Sequence, residues 1–144
     1  GAPHWNTNAK AVISGMSFST NKDHIIRAAL ESTAYQVKDI VESLDISIKR
    51  SIKSIRVDGG QTSNDFLMQF QADILRIPVE VSENIESTAL GVAFMSGIGS
   101  KIWNTENQLQ SIYEHSKIYE PKMNKSEVEN LYSGWLNAIN KLNN

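Results

Sequence analysis

The stretch IKSIRVDGGQTSNDFLMQFQADIL, residues 52–75, decides how the chain is read. Ile52, Ile55 and Val57 set β-branched residues at the spacing of a short strand buried on one or both faces. The run ends at Asp58, Gly59 and Gly60, where two glycines let the backbone turn sharply. Ser63 or Asn64 then offers a helix cap, and Phe66, Leu67, Phe70, Ile74 and Leu75 recur at helical spacing. A strand passing through a glycine turn into a helix aims unpaired amides and the positive end of the helix dipole at one point. In an α/β sheet phosphates and other anions settle there. The same residues describe equally well an ordinary strand–helix connection in which the glycines only make the turn.

Outward from this stretch, Pro78–Val81 reads as a second short strand opened by its proline. Strand, helix, strand in that order predicts a parallel pair joined by a right-handed crossover. Upstream, residues 21–44 form the strongest helical pattern. Ile25, Ile26, Ala29, Leu30, Val37, Ile40, Val41 and Leu44 make its apolar stripe, with Thr20 and Asp23 as a capping pair. Glu31 and Gln36 sit there among small residues, which fits a solvated face beside tight helix packing. Residues 1–20 read as a loop with one helical turn near residues 9–13, and residues 45–51 as a connection.

Downstream, residues 86–102 read as a second buried helix. Its small residues Ala89, Gly91, Ala93, Ser96, Gly97 and Gly99 predict the close approach of another backbone. A short amphipathic piece is expected over residues 106–112. A terminal helix over residues 124–144 follows, capped by Asn124 or Ser126, with Val128, Leu131, Tyr132, Trp135, Ile139 and Leu142 on one face.

Composition narrows the function. With 144 residues the chain is one domain or a piece of a larger one, and a net charge of −2 with dispersed basic residues argues against nucleic acid. The absence of cysteine removes disulfides, zinc–thiolate sites and thiol catalysis. No apolar run approaches the roughly 20 residues of a membrane helix. The chain opens at Gly1 with neither Met nor a charged-then-apolar leader. A soluble, cytoplasmic protein or a fragment of one is expected.

RVDGG at residues 56–60, Asn64, LMQFQADIL at 67–75, PVEV at 78–81, STALGVAFMSG at 87–97 and Trp103 together resemble the C-terminal part of the glycerol kinases. These belong to the FGGY carbohydrate kinases, within the actin-like ATPase superfamily. GAPHW at 1–5, GMSFST at 15–20 and HIIRAALESTAYQVKDI at 24–40 match in the same order, so the resemblance covers nearly the whole chain. It implies a partial ribonuclease H-like (actin-like ATPase) α/β domain, with a short parallel strand pair and packed helices. Residues 1–144 would be the single nucleotide-side domain of a kinase that uses ATP and Mg²⁺ to make glycerol 3-phosphate. Gly59, Gly60 and Asn64 would line the nucleotide cleft, with Asp58 orienting the loop. Residues 88–97 would be a packing helix under the sheet. The catalytic base, the alcohol-binding residues, the first phosphate hairpin and three leading strands would precede Gly1. No catalytic residue is then expected within residues 1–144, and the chain alone would be inactive. Two departures stand out: Val81-Ser82 replaces the family's usual Arg-Pro, and Phe18 lies where a basic residue is common.

Two other readings compete. A Rossmann-like dinucleotide module would use Glu80, about 20 residues past the glycine turn, as its ribose-binding acid, although the turn lacks the third glycine. A non-catalytic helical interaction domain would dock a partner through Trp135. Homo-oligomerisation is left open by the sequence.

Overall fold

A computed structural model describes residues 3–48, 51–82, 87–103 and 115–142. Helix α1 (Lys22–Ile48) starts at Asn21, whose Oδ1 accepts from the amides of Asp23 (3.0 Å) and His24 (3.2 Å). Thr20, expected to cap this helix, instead accepts from the Ser17 amide at 2.9 Å and closes the preceding turn. The helix runs four residues past the expected end. Residues 45–48 contain neither glycine nor proline, so nothing local stops it. The helical turn expected near residues 9–13 is absent, and the segment before α1 has no regular secondary structure.

Three strands form one sheet in the order β1 (Ile55–Val57), β2 (Val79–Ser82), β3 (His115–Tyr119). The first two pair in parallel as expected, Ile55 opposite Val79 and Val57 opposite Val81. The third strand was not expected. It pairs antiparallel with β2, Tyr119 opposite Val79 and Ile118 opposite Glu80, and so covers the edge of β2 that two strands alone would leave open. Its sequence, HSKIY, has too few apolar residues to announce a strand. The amphipathic piece expected over residues 106–112 lies outside the described residues.

Helix α2 (Asp65–Leu75) sits at the centre. It touches β2 and β3 of the sheet and also α1 and the terminal helix α4 (Lys125–Leu142), so it has neighbours nearly all round. Leu67, Met68, Phe70, Ile74 and Leu75 join Ala34 and Tyr35 of α1, Val79 and Val81 of β2, Tyr119 of β3 and Val128 of α4 in one core. Ala34 is fully buried, so this small residue of α1 serves close helix packing, whereas Ala28 and Ala29 are exposed. Phe66 stays partly exposed, under the Arg27 guanidinium 5.2 Å from its ring centre. Arg76 ends α2 in the left-handed conformation (φ 58°), its amide bonded to the Ala72 carbonyl. Asn124 caps α4 by accepting from the Glu127 amide at 2.9 Å.

Helix α3 (Ser87–Gly99) corrects an expectation. It is neither buried nor packed under the sheet: it makes no extensive contact with another described element, and Val92 and Met95 are 67% and 72% exposed. Around Gly91 and Gly99 a side chain would meet open space. Only Gly97 is crowded, and by the Trp103 ring, which folds back on the helix end and meets Phe94 edge-on at 5.6 Å. The small residues thus admit one indole rather than a second backbone. Among the described residues no helix is long and apolar enough to cross a membrane.

Candidate functional site: the diglycine corner

β1 ends at Val57, and the chain turns through Gly59 at φ +94°, a conformation open to glycine and strained for other residues. Gly60–Ser63 then form one 3₁₀ turn before α2 begins. The turn is pinned from inside. The Thr62 amide and Oγ1 both donate to the Gly59 carbonyl (3.1 and 2.7 Å), and Ser63 Oγ donates to the Gly60 carbonyl at 2.9 Å. The amides of Gly60 and Gln61, at the head of the turn, have no carbonyl within it to bind. Gly60 and Gln61 are exposed, and a Cβ added at Gly59 or Gly60 would meet nothing within 4 Å. The corner is therefore open to an approaching molecule.

The four residues singled out from sequence lie together here but differ in their engagement. Asn64 caps α2, its Oδ1 accepting from the Leu67 amide at 3.1 Å, which leaves its Nδ2 to donate elsewhere. Asp58 is exposed; Thr62 and Ser63, rather than its carboxylate, hold the loop. The 3₁₀ turn also separates the glycines from α2, so the amides at the corner are those of the turn and not of the longer helix. Glu80 is tied to Arg56 across the β1–β2 pair at 3.1 Å, which removes the attraction of a ribose-binding acid there.

Two polar centres escaped the sequence reading. Beside the corner, the Asp65 carboxylate accepts from Lys117 Nζ at 2.7 Å and from the Tyr119 hydroxyl, joining the start of α2 to β3. These hydrogen bonds, Lys117 first, hold Asp65 below the usual carboxylate range and raise Lys117. Deeper, the buried Asp39 carboxylate gathers three donors from distant segments. They are Tyr132 Oη (2.6 Å), Trp135 Nε1 (3.0 Å) and His4 Nε2 (3.2 Å). A single charge inside the apolar stripe of α1 was the only sequence signal for it. Burial, and then the Asp39 hydrogen bond, pushes the Tyr132 phenol upward. Among the described residues no cluster of three or more His, Cys, Asp or Glu could hold a metal ion.

Residues 1–100 match the model for the FGGY family of carbohydrate kinases, C-terminal domain. The chain is 43% identical over 139 residues to the glycerol kinases of Streptococcus sanguinis and Streptococcus pneumoniae. That match covers 96% of this chain but only 28% of theirs, so the chain spans under a third of the relatives' length. Among solved structures, Plasmodium falciparum glycerol kinase with ADP superposes with a TM-score of 0.86 at 36% identity, over 98% of this chain and 28% of that one. The xylulose kinase of Lactobacillus acidophilus does so at 0.80 and 23% identity, over 98% and 29%, a likeness of fold alone. The fold is that of the actin-like ATPases, and with most of its length matched the chain belongs to the FGGY family of carbohydrate kinases, as its C-terminal domain.

Proposed function

We propose that residues 1–144 are the nucleotide-side domain of an ATP-dependent glycerol kinase that forms glycerol 3-phosphate. The observation that carries this reading is the open diglycine corner in a chain so similar to glycerol kinases. ATP supplies the phosphoryl group when bound, and phosphoryl transfer depends mainly on positioning and charge neutralisation. Here Gly59 and Gly60 let the backbone come close to a nucleotide. The Gly60 and Gln61 amides donate to it, and Asn64 adds its Nδ2. Asp58 is the one carboxylate within residues 58–64. Magnesium is ordinarily held by one or two carboxylates together with phosphates, so Mg²⁺ would arrive with the nucleotide. The alcohol site and the catalytic base belong to the part of the kinase outside residues 1–144, and the chain alone transfers no phosphoryl group. The work is cytoplasmic in this reading.

ADP titration followed by amide NMR tests it. Shifts centred on residues 58–64 are expected, and they should vanish in Gly60→Val while the fold is kept, because a side chain at Gly60 meets no protein atom. Equal ADP binding by Gly60→Val, or a stronger response to NAD than to ADP, overturns the assignment. Phosphorylation of glycerol by the chain alone would refute the division of labour.

A further inference from the structure

The diglycine corner is poor in positive charge. Between Val57 and Phe66 the sequence carries two carboxylates, Asp58 and Asp65, and no Lys or Arg. The flanking arginines are each offset by an acid of their own. Arg56 is paired with Glu80 at 3.1 Å, and Arg27, over the Phe66 ring, with Glu31 at 2.6 Å. A phosphate group approaching the Gly60 and Gln61 amides thus has a carboxylate on either side of the turn, and like charge opposes it.

Strand β3 brings the missing cation. Lys117 and Tyr119 are two residues apart on it and so share one face. Tyr119 is buried in the core, and its hydroxyl donates to Asp65 Oδ1. Lys117 Nζ lies 4.6 Å from the centre of that ring and donates to the same oxygen at 2.7 Å. The buried ring therefore holds the ammonium against the first residue of α2, one peptide, or about 3.8 Å, from Asn64. The groove beside this pair adds Glu120 and Lys122, one charge of each sign. Both members of the pair are largely in water, where an ion pair adds little to stability. Its effect is on the charge that the corner presents.

We propose, resting on the nucleotide reading above, that Lys117 is a positioning residue: by neutralising Asp65 it lets the corner accept the diphosphate of ADP. The outer strand then does more than cover the edge of β2. ADP titrations of the folded chain at low salt, followed by amide NMR at residues 58–64, test this. Lys117→Met, which leaves Asp65 uncompensated, should weaken ADP binding about threefold, and Lys117→Arg should keep the parent affinity. Asp65→Asn, which removes the negative charge and keeps an acceptor oxygen, should bind ADP at least as well as the parent. Joined to Lys117→Met, it should restore the parent affinity. In about 0.5 M NaCl, where screening acts within a few ångström, the gap between Lys117→Met and the parent should close. A pair that only holds α2 in place gives the opposite pattern: weaker binding in Asp65→Asn, no recovery in the double variant and no closing with salt. Any of these overturns the proposal, as does parental affinity in Lys117→Met at low salt. A parent chain without any ADP response at the corner removes the nucleotide reading and this inference with it, so the two failures are distinct.

Discussion

Helices α2 and α3 are similar in length, 11 and 13 residues, and both are rich in apolar side chains. Helix α2 is buried along most of its length and takes Gln71 and Asp73 inside with its leucines. Helix α3, with no charged residue at all, leaves Val92 and Met95 largely in solvent. Burial here follows from what surrounds a helix. Among the described residues, the sheet, α1 and α4 all press on α2, whereas α3 makes no extensive contact with another element and has the Trp103 indole folded onto its end. A polar residue within α2 is tolerated because it has partners. Asp73 Oδ1 accepts from the amides of Lys122 (2.6 Å) and Met123 (3.1 Å) and from Gln69 Nε2 (3.1 Å), anchoring the turn before α4.

The largest test of this contrast is truncation at matched apolar positions. Leu67→Ala, at a site only 1% exposed, should cost about 3 kcal/mol in urea unfolding. Met95→Ala on α3 should change stability by less than about 0.5 kcal/mol. Equal losses would mean that α3 is packed as firmly as α2, and the contrast would fail. Next in size comes Asp73→Ala, expected to cost about 2 kcal/mol because it strands two part-buried amides that now bond a carboxylate, although alanine is the better helix former. Amide exchange at Lys122 and Met123 should quicken in that variant; unchanged protection would show that the turn is held by something else.

The contrast also shows what the sequence can carry. The period of apolar residues reports a helix, and the strand–glycine–helix order reports the parallel pair, because both are local. Asn64 and Asn124 were legible as caps because an N-cap is made by the residue beside its helix. The outer strand β3 was not legible: its place depends on pairing with β2, and only Ile118 and Tyr119 in it are apolar. Asp39 and Asp65 were missed for the same reason, since their partners lie 35 to 96 residues away. At the corner, the glycines and Asn64 were read from sequence. The 3₁₀ turn that separates them was not, because its bonds come from Thr62 and Ser63 hydroxyls that fit any loop. The small residues of α3 misled because smallness records room and not what fills it.

Titration sharpens the contrast from another side, since residues 87–103 carry no tyrosine, whereas Tyr35 and Tyr132 belong to the packed half. Tyr35 has its folded value raised from 10.0 to about 12, with burial the first cause, and Tyr132 moves the same way. A raised value means the folded chain keeps the proton where the unfolded chain has lost it. The contribution is whole below pH 10 and is lost as pH climbs towards 12. The melting temperature should therefore fall over that window, and fall less steeply in Tyr35→Phe. A parallel decline in the variant would place the alkaline transition outside the Tyr35 contact with α2.

The smallest effect concerns the open end of α2, where one side chain is assigned two tasks. Asn64→Ala removes the acceptor for the Leu67 amide and should cost about 1 kcal/mol, whereas Asn64→Asp keeps a capping oxygen and should stay within a few tenths of the parent. For a nucleotide the order differs. Aspartate brings a negative charge and no Nδ2 donor to the corner, so Asn64→Asp should weaken ADP binding more than Asn64→Ala does, despite its better stability. Urea midpoints and ADP titrations on the same two variants separate these effects. If stability and affinity fall together in the order aspartate above alanine, Asn64 acts only as the cap of the buried helix, and the corner must bind through its backbone alone.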